Sequence, residues 1–387
     1  MKKAIVSDII GIMEKIAPGR LAEKWDNAGL QIGRNEYPVK KVMIALDALP
    51  EVVDEACCSN TDLLITHHPL IFKPIQCLDF STPLGKLIEK SAMSRLAIFS
   101  AHTNLDSVFG GVNDELCRQI GLKNVRSLVK DLMQDTFKLV IYAPEGHEDK
   151  ILEALFKTCS QKIGTYADCS FRNLGKGTFQ PLEGAEPFIR IEHDRDHDRK
   201  ICQADEVRIE TVVKKSEIKK VISEVEKCHP YETMAWDVYP LHSSAGDLKS
   251  IQGIGRIGEA DSPMPLDKFA RHIKASLELS NIPSVMRVVG DPGLEVRTVA
   301  VCSGSGAGLL DSFFSSDAMV YISGDLGYHN ARDIQAAGRG LVDIGHFASE
   351  HLIVAVLRQR LTEMLKQNGF NVEVRISKCE HDPFRSV

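Results

Sequence analysis

Apolar residues recur along this chain in two rhythms. Ile5, Ile9, Ile12, Met13 and Ile16 fall at helical spacing and predict an amphipathic first helix. Beyond it, short β-branched runs end abruptly in polar segments: VMIALD (42–47) before ALPEVVDEAC, DLLIT (62–66) before HHPL, and LAIFSA (96–101) before HTNLD. The second half repeats the pattern, with TVAVC (298–302) before SGSGAG, MVYIS (319–323) before GDLGYHNARDIQAAG, and LVDIG (341–345) before HFASEHLIVAVLRQRLTEML. Strand, polar turn and helix in this alternation predict an α/β fold with a mostly buried sheet. Such sheets place their sites just beyond the carboxyl ends of the strands.

The middle breaks the rhythm. Between 128 and 249 the chain reads FKLVIYAP, a helix around 149–161, GKGTFQPLEGAEPFIRIE, VRIETVV (207–213), a helix near 216–228 and AWDVYPL (235–241). Helices alternating with antiparallel-looking strands predict a small α+β domain inserted into the α/β fold. The core is then discontinuous, 1–127 plus 250–387, and a length of 387 residues agrees with two domains. The loop HDRDHDRK (193–200) reads as a solvated charged turn of the insert.

Composition changes the picture by exclusion. A net charge of −6 and a pI near 6.1 supply no electrostatic footprint for nucleic acid. The opening MKKAIVSDIIGIMEK is broken by Asp8, Glu14 and Lys15, so it reads as a helix and not as a secretory signal. No apolar stretch is long enough to span a bilayer. Ten cysteines without a CxxC pair write neither a zinc ribbon nor a thioredoxin-type site, and a reducing cytoplasm accommodates ten thiols most readily.

Three polar clusters at strand ends carry the candidate chemistry. His67 and His68 close DLLIT, where the chain turns and neighbouring side chains can converge. His102 and Asp106 follow LAIFSA, and His346 and Glu350 stand four apart where a helix begins, on one face of its first turn. Imidazole with carboxylate suits zinc, iron, manganese or nickel, and three histidines with two carboxylates suffice for two divalent ions. Each cluster also has a plainer reading, as surface histidines, a helix-capping Asp and an exposed polar pair. SGSGAG (303–308) reads either as a phosphate cradle or as a tight turn against the cleft. Trp25 reads as a core residue rather than a stacking platform, and His229 and Glu232 in HPYET read as a surface turn.

Several motifs together resemble the Nif-three-like, YbgI/YqfO-type family of dinuclear-metal proteins, often labelled GTP cyclohydrolase I type 2 homologues. The carriers are WDNAGLQIG (25–33), ITHHPLIF (65–72), SAHTNLD (100–106), GGVND (110–114), SGDLGYHNARDIQAAG (323–338) and DIGHFASE (343–350). The resemblance implies that His67, His68, Asp106, His346 and Glu350 hold two divalent metal ions per chain. It places His102 beside them as ligand or neighbour, and Asp325 and His329 near the same cleft. GTFQPLEGAEPF and HPYETMAWDVYPL are similar to the insert of longer members, which resembles the PII and CutA folds, and the family assembles as a toroidal homohexamer. Thr233 stands where a second acidic residue is frequent, and the 193–200 loop carries extra charge.

Hydrolysis is the reaction class such a site implies. His102 or His329 would serve as proton shuttle, since imidazole titrates near neutrality. The resemblance supplies a small-molecule substrate of the nucleotide class, GTP, with metal-activated water attacking the purine C8 and formate released. Two further functions fit the same residues: a metal storage or delivery protein, and a ligand-sensing regulatory module without turnover.

Overall fold

The structure, a computed structural model, describes residues 2–129, 136–159, 162–163, 166–188, 201–215, 217–241, 253–278 and 286–385. The 193–200 loop lies outside the described residues. The chain forms two compact units, Met1–Asp131 with Leu248–Val387, and Leu132–Asp247.

The first unit is built on two sheets where the alternation of strands and helices predicts one. The five-stranded sheet runs Glu373–Ile376, Lys41–Ala45, Leu63–Thr66, Ala97–Ser100 and Gly29–Ile32; its first four strands are parallel and the last is an antiparallel edge. Alternate residues serve opposite faces, and both faces are covered. Val42, Ile44, Leu63 and Ile65 pack with the helices Val6–Ile16 and Leu352–Gln367. Met43, Ala45 and Leu64 pack with Val52, Val53 and Ala56 of the helix Pro50–Cys58. Continuous apolar runs are what a strand buried on both sides requires.

The six-stranded sheet runs Arg287–Val289, Gly340–Asp343, Val320–Gly324, Glu295–Ser305, Arg256–Pro265 and Lys123–Ser127, with Gly340–Asp343, Val320–Gly324 and Glu295–Ser305 mutually parallel. Its faces split in the same way, Val299, Val301, Val320 and Ile322 to one side and Ala300, Cys302 and Tyr321 to the other. A buried run has the same period in either sheet, so sequence alternation does not reveal which strands pair.

Arg256 ties the two sheets together. Its side chain is fully buried, donates to the Ser107 and Val108 carbonyls at 3.1 and 2.9 Å, and pairs with Asp114 at 2.7 Å. This accounts for much of GGVND: Asp114 holds Arg256, while Asn113 donates to the Asp106 carbonyl at 3.1 Å and accepts from the Ser303 amide at 2.8 Å.

The second unit is an antiparallel sheet in the order Ser170–Phe179, Cys202–Lys214, Thr136–Pro144 and Trp236–Pro240. Helices Glu148–Thr158 and Ile218–Glu226 bury Ile151, Leu155, Val221 and Val225 against Leu139, Ile141, Ile209 and Val213. No helix among the described residues is long and apolar enough to cross a membrane.

Candidate metal centre

Polar residues at the carboxyl ends of parallel strands from both sheets of the first unit converge. At the end of Leu63–Thr66 the amides of His67 and His68 both donate to the Leu46 carbonyl, at 3.1 and 2.9 Å. The Thr66 and Ser100 hydroxyls donate to the His68 carbonyl at 2.7 and 3.0 Å. The chain thereby leaves strand geometry, and adjacent rings that would point to opposite faces of a strand lie with centroids 5.0 Å apart. His346 and Glu350 are the first and last residues of the short helix after Gly340–Asp343, and Asp106 lies in the helix Thr103–Ser107.

Three groups of donor atoms result, each with its members within 4.8 Å of one another: His67, Asp106 and Glu350; His68, His346 and Glu350; and His67, His68 and His102. Glu350 is common to the first two. His67, Asp106 and Glu350 are buried, whereas His68 and His346 are partly open to solvent.

The hydrogen bonds fix which nitrogens are available. His67 Nδ1 donates to the Ala101 carbonyl at 2.8 Å, which leaves Nε2 bearing its lone pair toward the interior. That buried Nε2 has no hydrogen-bond partner; Asp106 Oδ1 and Glu350 Oε1 stand 3.6 and 3.7 Å away. His68 Nδ1 donates to Asp47 Oδ1 at 2.8 Å and His346 Nδ1 to Asp325 Oδ2 at 2.6 Å. Their Nε2 atoms face each other at 3.2 Å, with Glu350 Oε2 at 2.9 and 3.0 Å. Lone pairs of two imidazoles and a carboxylate aimed at one point require either protons or a cation there. The residues therefore fit a metal ion, and the carboxylates behind the rings are the orienting partners that metal-ligating histidines commonly have.

Electrostatics agree. Burial disfavours a charged ring at His68, but hydrogen bonds and charge from Asp47 and Glu350 outweigh it and push the group up to about 10. His346 is pushed to about 9 in the same way, by Glu350 and Asp325 against burial. Burial would raise Glu350, yet the surrounding His67, His346 and His68 hold it well below the usual carboxylate range. Asp106 is raised, by burial first. The site thus has a negative potential that attracts positive charge into a desolvated pocket. Burial pushes the nearby Cys302 thiol up to about 12, so it stays a neutral apolar wall.

His102 belongs to the cluster. Its Nδ1 bonds Asp26 Oδ1 at 2.8 Å, and Asp26 also accepts from the Thr103 hydroxyl at 2.5 Å and amide at 3.1 Å. Burial works against the Asp26 charge, but these bonds hold the carboxyl at about 2, leaving an anion that orients His102. Asp325 lies behind His346. His329, on the surface of the helix Tyr328–Ala336, has an edge-on ring contact with Tyr328, and no contact among the described residues joins it to the five donors.

Geometry bears on two expectations about neighbouring segments. Trp25 is not a core residue: it is 60% exposed, edge-on to His102 at 6.0 Å and tilted against the half-exposed Phe72 at 5.9 Å. It precedes an edge strand, a position that local apolar pattern does not disclose. SGSGAG ends the strand Glu295–Ser305 and begins the 3-10 helix Gly306–Leu309, against the cleft. The Ser303 and Gly304 amides are spent on Asn113 and on Ser349 Oγ, and the Ser303 hydroxyl reaches Asp106 at 3.3 Å. Gly304 has φ +60°, and a Cβ there would lie 2.1 Å from Glu350 Oε1.

Sequence reading passed over Asp47 and Arg256. Asp47 carried a usable signal, a carboxylate just past a buried strand; Arg256 carried none, because Asp114 and the Ser107 and Val108 carbonyls that hold it are distant in the chain.

Fold and donor set define an α/β protein with a histidine–carboxylate cluster that could hold metal ions at the ends of parallel strands. The chain matches the Duf34/NIF3 (NGG1p interacting factor 3) family over residues 4–383 and belongs to it. It is 37% identical over 376 residues to a Bacillus subtilis (strain 168) protein named GTP cyclohydrolase 1 type 2 homolog, covering 97% of each chain. A Halalkalibacterium halodurans relative of the same name is 35% identical over 387 residues, all of both chains. Among solved structures, the Bacillus cereus protein related to NIF3 is similar with a TM-score of 0.68 at 36% identity, and Staphylococcus aureus protein SA1388 with 0.73 at 29%, each over 100% of both chains.

Proposed function

We propose that the chain is a metal-dependent hydrolase acting on a nucleotide, most specifically a GTP cyclohydrolase. The observation that carries this is Glu350, shared between two donor groups. His67 and Asp106 would hold one ion and His68 and His346 the other, with Glu350 available to both. When bound, divalent ions supply Lewis acidity and lower the pKa of water at the site. The chain's own contribution is orientation and proton handling. Asp47 and Asp325 fix the rings of His68 and His346, and His102, held by Asp26, is the better placed of the two candidate proton shuttles. His329 would need a different approach to reach the reacting atoms.

The exposed Trp25 and Phe72 beside His102 support a planar heterocycle as substrate, because aromatic faces stack on bases. The relatives' name supports GTP in particular. The solvent access of His346 favours a second reading, storage or delivery of an ion, since an open position lets metal exchange. We further propose that 128–249 is an inserted, PII/CutA-like domain, and that the protein works in the cytoplasm as a homohexamer.

The test is elemental analysis of the purified chain followed by incubation with GTP and a formate assay. Two metals per chain with formate release that depends on His67 and Glu350 is the expected result. Two metals without formate would remove GTP as substrate and leave the storage reading.

A further inference from the structure

The second unit holds a cavity of about 340 Å³. This is within the range of about 300–1,000 Å³ that small-molecule sites occupy. Its walls come from the end of the strand Ser170–Phe179, the segment 181–188, the strand Cys202–Lys214 and the HPYET turn. Three aromatic rings, Phe179, Phe188 and Tyr231, and three carboxylates, Glu186, Glu206 and Glu232, line it. Among the described lining residues none is basic.

Tyr231 and Glu206 form a polar wall of the cavity, and His229, behind it, holds the Tyr231 backbone. His229 Nε2 donates to the Tyr142 carbonyl at 2.9 Å, and its Nδ1 accepts from the Tyr231 amide at 3.1 Å. Those two bonds require the neutral ring, and burial lowers the pKa of His229 in the same sense. The Tyr231 hydroxyl, raised by burial and by Glu206, donates to Glu206 Oε1 at 2.9 Å. Gly177, on the neighbouring strand, leaves room for that carboxylate, since a Cβ there would lie 2.2 Å from Glu206 Oε2. Phe188 stands 6.2 Å from Tyr231, centroid to centroid.

Two described cations on the neighbouring strands are engaged elsewhere. Lys176 pairs with Asp205 at 2.9 Å, and Arg208 with Glu210 at 2.9 Å. Among the described residues, no basic side chain pairs with the carboxylates that line the cavity. Aromatic faces attract cations, and carboxylates add directional, charge-assisted hydrogen bonds. An anion entering would meet like charge.

We propose that this cavity binds a small organic cation, an amine or guanidine whose charged head lies against Glu206 and Glu232 and whose stem packs on Phe188 and Tyr231. This site is independent of the metal centre and of the hydrolase reading.

Titration calorimetry of the full chain with agmatine and with spermidine tests it. Saturable binding of at least one amine, one per chain, is expected, weakened about tenfold or more by Glu206→Gln and by Phe188→Ala. Metal content and melting temperature are the controls for the fold, and Phe188 is half exposed, so its removal leaves the core intact. Failure of both amines to saturate at millimolar concentration overturns the proposal. Equal affinity in Phe188→Ala also overturns it, by showing that net negative charge alone attracts the amine.

Discussion

Loading the metal-free protein with a divalent ion should release protons, and the number can be worked from the site. In the metal-free state His68, pushed up to about 10, and His346, pushed to about 9, both carry a proton at pH 7.5. Glu350 is already ionised and contributes none. A metal ion needs the Nε2 lone pairs of both rings, so both protons must leave; His67 and Asp106, also raised, can only add to them, so at least two protons per chain are released. Calorimetric titration of the metal-free chain with zinc or manganese, in buffers of different ionisation enthalpy, reads this number directly. Removing the carboxylate, as in Glu350→Gln, lowers the affinity of both rings for protons, so fewer protons should be released at the same pH. The sign for stability follows. These groups are raised above their unfolded value, so their contribution to the metal-free fold is fully present below about pH 6.5 and is lost as pH rises through about 9 to 10. Proton release near zero, or release unchanged in Glu350→Gln, would refute the arrangement of lone pairs around Glu350.

Four further outcomes are expected. His67→Ala with His68→Ala should remove at least one metal while the melting transition persists, as read by elemental analysis and circular dichroism. Gly304→Ala forces a side chain into φ +60° and against Glu350, and should cost about 1–3 kcal/mol in urea unfolding together with metal affinity. Arg256→Met strips a buried cation from Asp114 and leaves the Ser107 and Val108 carbonyls unpaired, an expected loss of about 3–5 kcal/mol by the same assay. Trp25→Ala should weaken nucleotide binding with metal content unchanged; measured in a Trp236→Phe background, quenching of Trp25 fluorescence by GTP reports that contact.

Much of the site was legible because its donors are chemically conspicuous and sit where apolar runs stop. The helix spacing of His346 and Glu350 put them on one face, and the structure keeps them there. The doublet His67–His68 needed the strand to end between Thr66 and Pro69, which the apolar run LLIT announced. Less legible was anything set by pairing between distant segments. Arg256–Pro265 reads as a polar, proline-containing stretch and becomes a strand only through partners on both sides. The edge position of Gly29–Ile32, which leaves Trp25 uncovered, depends on the order of strands and not on their composition. Asp47 follows a plainly predicted strand, but its role appears only when His68 is placed opposite.

The donors span residues 67 to 350, and the strand Glu373–Ile376 that flanks Lys41–Ala45 comes later still. A ribosome therefore releases the entire Leu132–Asp247 unit before His346 and Glu350 have been synthesised. Until then His67, His68 and Asp106 form an incomplete set without the carboxylate that two donor groups share. Assembly of the donor set is thereby delayed until the segment carrying His346 and Glu350 has been made, and truncated products ending before Glu350 lack the shared carboxylate.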